Sequence, residues 1–220
     1  MAAVVKLIPG RTVFFVCDIQ TRFRTFIHGF DHVVATGNKM LKLAKVLDVP
    51  VIITEQNPRG TCSHAPRSTL GRRALAACAK PSFQPSGPPL HLGTFEKTAF
   101  SMAIPPVTAL LKQHNFKSVV LFGIESHVCV QQSALDLLQL GYDVHVLADG
   151  VSSTRSQEVP IAIARMRQAG AQIVTSESAA FELQTDASKD NFKYFSRLIK
   201  EEAERTEQAL EVLAAPASKL

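Results

Sequence analysis

The sequence predicts an α/β fold of the doubly wound kind, a parallel sheet with helices on both faces. Three observations carry this. Several short runs are apolar at nearly every position, among them TVFFVC within 11–18, VPVIIT at 49–54 and SVVLFGI at 118–124. Such runs suit strands buried on both faces. Stretches with helical spacing separate them, as a βαβ alternation requires. Glycine turns, LGY at 140–142 and AGA at 169–171, follow two of those stretches, where a helix C-cap belongs.

Taken in order, RTVFFVCD (11–18) is the first strand and ends in an acid. A helix over about 31–47 carries Val33, Val34, Met40, Leu41, Leu43, Ala44 and Leu47 at helical spacing. VPVIIT (49–54) is continuous and β-branched, and LGTFE (92–96) is a short strand. Pro105–Pro106 opens a helix to 116, because proline at the first helical position gives up an N–H that has no partner anyway. SVVLFGI (118–124), a helix at 126–140, YDVHVLAD (142–149), a helix at 156–169 and AQIVTS (171–176) complete the alternation. The tail from 189 to 212 reads as one or two amphipathic helices, packed on the domain or on a partner subunit.

Composition makes this one domain, 1–220, with ordinary globular usage: 46% hydrophobic and 20% charged residues. No apolar run reaches bilayer-spanning length. Lys6 and an early Pro9–Gly10 break make the N-terminus a poor signal peptide, so a soluble intracellular protein is expected. The four cysteines form no CxxC pair, and reduced thiols are the expectation. Most of the net charge of +5 sits in residues 60–92, with Arg67, Arg72, Arg73 and Lys80, no acid, and prolines at 66, 81, 85, 88 and 89. This segment reads as an insertion at the ligand-binding edge, with a candidate short helix at 69–79. It is a solvated surface or a phosphate-binding one. Cys62, His64 and Cys78 within it lack zinc-ligand spacing. Without a P-loop or GxGxxG, no nucleotide cofactor is supported, and none is expected.

In open parallel sheets ligands bind beyond the carboxyl ends of the strands. Asp18 ends the first strand, Glu55 and Gln56 the second, Lys97 follows LGTFE, and Cys129 lies in the first helical turn after SVVLFGI. An acid, an amine and a thiol thus fall on one rim. A helix start and a nearby ammonium favour a thiolate, the reactive form. A carboxylate can take the thiol proton and pass it to a leaving group. Backbone N–H groups at the strand–helix turn could hold an oxyanion, and Gly123 permits an unusual path there. Singly, each residue has a plainer reading: a core cysteine, a helix cap, a surface lysine. Together they point to a nucleophilic site. Strand alternation sends Cys17 to the face opposite Asp18, into the core. His127 is read as a supporting hydrogen-bonder rather than a base.

The motifs VCDIQTRF (16–23), TEQNP (54–58), EKTAFSM (96–102), GIESHVCVQQSALDLL (123–138), GYDVHVLADGVSS (141–153) and ARMRQAGA (164–171) together resemble the isochorismatase-like cysteine hydrolases. The similarity covers about 11–185, apart from 60–92, and is greatest to the isochorismatase domain-containing subgroup. It implies a six-stranded parallel sheet of order 3-2-1-4-5-6 in a Rossmann-like three-layer sandwich. It also implies an Asp18-Lys97-Cys129 triad with a covalent acyl-enzyme on Cys129, and Phe23 and Gln56 lining the pocket. Oligomers are implied as well. The resemblance further places a cis peptide at Ile124–Glu125, at a cost of roughly 3 kcal/mol, aiming the oxyanion-hole N–H groups around Ile124, Glu125 and Cys129. TEQNPRGTCSH lacks the Asp-x-His metal motif of the nicotinamidase branch, so no metal is expected. True isochorismatases lack the nucleophilic cysteine that this chain carries. The expected activity is metal-independent hydrolysis of a small-molecule amide, ureido or ester bond.

Two other classes compete with it. A non-catalytic or nucleic-acid-associated protein could use the basic 60–92 segment, although Phe83 is its one aromatic and no nucleic-acid motif is present. A thiol redox sensor would use the same activated cysteine, but no resolving cysteine is identifiable from sequence.

The chain ends in Ser218-Lys219-Leu220, a receptor-read peroxisomal address, after a small, proline-broken AAPAS stretch. In a eukaryote this predicts binding to the peroxisomal import receptor and residence in peroxisomes or related microbodies; otherwise the protein is cytoplasmic. A reporter fused to the N-terminus is expected to be punctate with a microbody marker and diffuse once 218–220 are deleted. Unchanged localisation after the deletion refutes the address.

Overall fold

The computed structural model describes residues 4–56 and 90–214. Most of the 60–92 insertion, the candidate helix at 69–79 and the terminal 218–220 lie outside the described residues.

The strands are β1 (Thr12–Cys17), β2 (Val51–Gln56), β3 (His91–Lys97), β4 (Ser118–Ile124), β5 (Asp143–Ser152) and β6 (Gln172–Val174). They form one six-stranded sheet of order β3-β2-β1-β4-β5-β6, parallel at every pairing. The continuous apolar character of β1 has a direct explanation. Phe14 and Val16 belong to one buried cluster, and Val13, Phe15 and Cys17 to the cluster on the other face. Phe14 also meets Phe122 of β4 edge-on, with centroids 6.4 Å apart.

The helices are α1 (Phe30–Leu47), α2 (Pro105–Gln113), α3 (Gln131–Gln139), α4 (Glu158–Gln168), α5 (Ser176–Gln184), α6 (Phe192–Glu201) and α7 (Ala203–Leu213). Helices α1, α5, α6 and α7 contribute to the first cluster, and α2, α3 and α4 to the second. The three-layer architecture follows.

The C-terminal helices pack on this domain. The buried Lys39 ammonium of α1 donates to Thr206 Oγ1 of α7 at 2.7 Å. Asn191 Nδ2 donates to the Val46 carbonyl at 2.9 Å. Lys42 pairs with the buried Glu202 carboxylate, which also holds Arg205.

The structure departs from the sequence pattern in three places. Helix α5 was not legible, because its capping box joins Thr175 to Ser178 instead of the Glu or Gln that marks such a start. Strand β5 runs to Ser152, beyond the predicted 149, through a register shift opposite Leu121 and Gly123. The predicted helix at 126–140 is two elements, a π turn over Ser126–Val130 and then α3.

One buried group has a consequence for stability. His145 of β5 is fully enclosed, and neither ring nitrogen has a hydrogen-bond partner among the described residues. Burial pushes its pKa below the ordinary 6.5, and the Glu182 and Asp143 carboxylates oppose that shift only in part. Between the depressed folded pKa and about 6.5, the unfolded chain binds more protons than the folded one. The contribution of His145 is therefore present above that window and lost as pH falls through it. Urea titrations from pH 7.5 to 5 are expected to show a steeper loss of stability for the wild type than for His145→Leu. Parallel slopes overturn this.

Candidate active site

Four strand ends meet at one cavity of about 420 Å³. Asp18 follows β1, Gln56 closes β2, Cys129 follows β4, and Thr154 and Arg155 follow β5; all line it. Phe23, Phe100, Ile124, Glu125, His127 and Val128 complete the wall. Lys97, the last residue of β3, sits behind with its side chain fully buried. The strand order reverses direction between β1 and β4, where open parallel sheets bind ligands. Asp18 and Cys129 come from those two strands.

Lys97 and Asp18 form a buried ion pair, Nζ to Oδ2, at 2.7 Å. Lys97 Nζ also reaches Gln56 Oε1 at 2.6 Å and the carbonyls of Phe100 and Ala99 at 2.8 and 3.2 Å. The other carboxylate oxygen, Oδ1, accepts from Thr54 Oγ1 at 2.8 Å. Gln56 is itself held, its side chain donating to Thr98 O at 3.1 Å and its N–H to Gln20 Oε1 at 3.0 Å. Every polar atom around the pair has its partner, as a buried charge requires.

Cys129 is the fourth residue of the π turn and 5% exposed. A π turn widens the helix by one residue per turn and recurs at functional sites. Here Val130 N–H reaches back to the Glu125 carbonyl at 3.2 Å, and Val128 N–H shares that acceptor at 3.0 Å. Glu125 stands at the head of the turn in left-handed geometry, φ 60° and ψ 64°. Its carboxylate accepts from Thr154 Oγ1 at 2.6 Å. His127 Nδ1 lies 3.0 Å from Ser153 Oγ and 3.5 Å from Glu125 Oε2.

Two readings from sequence are corrected. The Ile124–Glu125 peptide is trans, as are all the described peptide bonds. The chain reverses there through positive φ instead, 145° at Gly123 and 60° at Glu125, so a trans peptide suffices. Cys17 does lie in the core, but not away from the site: it shares a buried cluster with Cys129, and its thiol donates to Asp18 Oδ2 at 3.7 Å. Alternation failed because Asp18 takes φ 53°, which turns its side chain out of the strand pleat. Burial, the neighbouring Cys129 thiol and the Asp18 carboxylate hold the Cys17 thiol well above its ordinary pKa, so it stays protonated. Sequence reasoning also missed Thr54, Thr154 and Arg155. The SSTR run at 152–155, which ends β5 and continues past it, was the available signal, since it falls on the same rim.

No group of three His, Cys, Asp or Glu side chains among the described residues is arranged to hold a metal ion.

Fold and site define a class: an α/β sandwich in which a cysteine on a strand-to-helix turn and the Asp of a buried Asp–Lys pair line one cavity at the switch point. The Isochorismatase domain matches residues 12–178, and the chain belongs to that family and carries its hydrolase fold. It is 40% identical to Isochorismatase family protein 1A of Dictyostelium discoideum over 206 residues, 93% of each chain. Among solved structures it resembles the MAR1 ribonuclease of Caenorhabditis elegans, with TM-score 0.77 and 34% identity over 98% of this chain and 100% of that one. At the level of fold it resembles the YcaC gene product of Escherichia coli, described as an octameric hydrolase of unknown specificity. That match has TM-score 0.75 and 21% identity over 96% and 97% of the two chains.

Gly123 pairs with Cys17 across β1 and β4, and a Cβ added to it would lie 2.1 Å from the Cys17 carbonyl oxygen. The strain of a side chain at φ 145° adds to the clash. Gly123→Ala is expected to lose about 3 kcal/mol or more of stability and to displace Cys17 and Asp18. Denaturant unfolding checks the first effect, and a midpoint within error of wild type would refute it.

Proposed function

We propose that this chain is a metal-independent cysteine hydrolase of a small-molecule amide, ureido or ester bond, with Cys129 as nucleophile. The observation that carries this is the position of Cys129 on the cavity wall beside Asp18, whose carboxylate is held by Lys97 and Thr54.

In the proposed sequence Asp18 takes the Cys129 proton and Sγ attacks the carbonyl carbon. The oxyanion is held by main-chain N–H groups at the turn from Ile124 and Glu125 to Cys129. Collapse of the tetrahedral species breaks the bond to the leaving group, which departs with the proton from Asp18. A thioester remains on Cys129. Water, giving its proton to Asp18, then hydrolyses the thioester and returns the thiol. Lys97 keeps the Asp18 carboxylate in place throughout, and the protonated Cys17 thiol donates to the same carboxylate.

A nucleic-acid reading rests on the basic 60–92 segment and on the name of the C. elegans neighbour. It predicts RNA cleavage that survives Cys129→Ala. Self-association, which light scattering tests, and the peroxisomal address belong to the proposal as well.

Iodoacetamide at neutral pH is expected to label Cys129 well before Cys17, as peptide mapping will read. Labelling of Cys62 or Cys78 with Cys129 untouched sinks the assignment. With a turned-over substrate, Cys129→Ala and the isosteric Asp18→Asn are expected to lower turnover by about a thousandfold or more, and a chelator to leave it intact. Lys97→Ala is the less clean variant, since it strands a buried carboxylate at a cost of about 3–5 kcal/mol.

A further inference from the structure

The hydrolytic cycle uses one thiol, and a second lies buried beside it. Cys17 ends β1 and is fully enclosed, whereas Cys129 lines the cavity. Both belong to the same buried cluster. Cys17 pairs with Gly123 across the β1–β4 ladder, where a Cβ on Gly123 would lie 2.7 Å from the Cys17 Cβ. From that close approach the chain passes through Glu125 into the π turn that holds Cys129. The Cys129 thiol is accordingly among the groups that raise the Cys17 pKa. The two cysteines also share a carboxylate: Cys17 Sγ donates to Asp18 Oδ2 at 3.7 Å, and Asp18 and Cys129 line one cavity. Both thiols are free.

We propose that Cys17 is the resolving thiol of Cys129: a hydroperoxide oxidises the nucleophile, and Cys17 then closes a Cys17–Cys129 disulfide that silences the site reversibly. This rests on the reading of Cys129 as the reactive thiol. In the first step Asp18 takes the Cys129 proton, Sγ attacks one peroxide oxygen, and the O–O bond breaks. With hydrogen peroxide, the leaving hydroxide takes the proton from Asp18 and departs as water. A sulfenic acid, Cys129 Sγ–OH, remains. In the second step Cys17 gives its proton to Asp18 Oδ2, to which it already donates, and its Sγ attacks Cys129 Sγ. The S–O bond breaks, and hydroxide leaves with that proton as a second water. Two thiols are oxidised to one disulfide, and one peroxide is reduced to two waters. A dithiol returns both thiols by exchange.

The division of roles follows from the surroundings. Burial and the Asp18 carboxylate keep Cys17 protonated and away from solvent, so it does not meet the oxidant first. Cys129 opens onto a cavity of about 420 Å³, which admits a peroxide. A sulfenic acid with a thiol neighbour condenses and stops short of the irreversible sulfinic acid. Regular strand alternation would have sent Cys17 away from the site, so the pair is visible only in the fold.

The test needs no substrate. The full chain is treated with hydrogen peroxide, blocked with N-ethylmaleimide, digested with trypsin without reduction and mapped by mass spectrometry. The wild type is expected to yield peptide 12–22 joined to peptide 118–155, each of which holds one cysteine, and dithiothreitol to release them. Cys17→Ser and Cys17→Ala, paired so that a packing defect in either does not decide the result, are expected to lose the linked peptide and to carry Cys129 on to sulfinic acid. Dithiothreitol should then restore at least about tenfold less free Cys129 thiol than in the wild type. Sulfinic acid on Cys129 in the wild type without the linked peptide overturns the resolving role and leaves the hydrolase reading standing. Linkage of Cys129 to Cys62 or Cys78 instead does the same. If Cys129 is inert to both peroxide and iodoacetamide, the hydrolase reading falls, and this inference with it.

Discussion

The site depends on one buried ion pair. Lys97 and Asp18 are both removed from water, and neither charge is tolerable there alone. The pair holds because its remaining valences are met from several segments: Gln56 from the end of β2, Thr54 one turn of the pleat earlier, and the carbonyls of Ala99 and Phe100. These contacts tie the carboxyl ends of β1, β2 and β3 into one rigid edge. Desolvation also strengthens the electrostatics that the same carboxylate would use in proton transfer. In the proposed mechanism structural necessity and chemistry are thus met by the same atoms.

The backbone around this pair is unusual for a reason. A parallel sheet presents its strand ends in a row, but a pleated strand alternates its side chains between faces. Cys17 and Asp18 could not both address one site without a break in that alternation, and the left-handed φ at Asp18 supplies it. Opposite them, Gly123 removes the side chain that would collide with the Cys17 carbonyl, and Glu125 turns the chain into the π turn that carries Cys129. Such conformations cost of order 1–3 kcal/mol each and persist only where surrounding packing enforces them. Both β1 and β4 are fully buried, which provides that enforcement.

The cavity divides its labour along the rim. The edge formed by β1, β2 and β3 carries the paired charges, the turn after β4 carries the thiol, and the segment after β5 carries Thr154 and Arg155. Asp18, Lys97 and Cys129 are buried at the strand ends, whereas Thr154 and Arg155 past β5 are exposed. Loop residues set on a rigid scaffold are where specificity is ordinarily encoded.

The sequence by itself determined the sheet and the identity of the residues at its rim. Continuous apolar runs leave no choice but burial on both faces, and parallel strands need helical crossovers, so β1, β4 and the helices between them were legible with bounds off by one to three residues. Asp18, Gln56, Lys97 and Cys129 were legible as strand-end residues for the same reason. Helix α5 was not, since a Thr–Ser capping box carries no acidic signature. The place of Cys17 was not either, because periodicity assumes regular φ and Asp18 departs from it. The trans peptide at Ile124–Glu125, the π turn and the exposure of Arg155 on the cavity wall were decided only when β1, β4 and β5 packed together. Local sequence sets which face a residue prefers, but contact distances between strands far apart in the chain select the backbone conformations that aim side chains at one another.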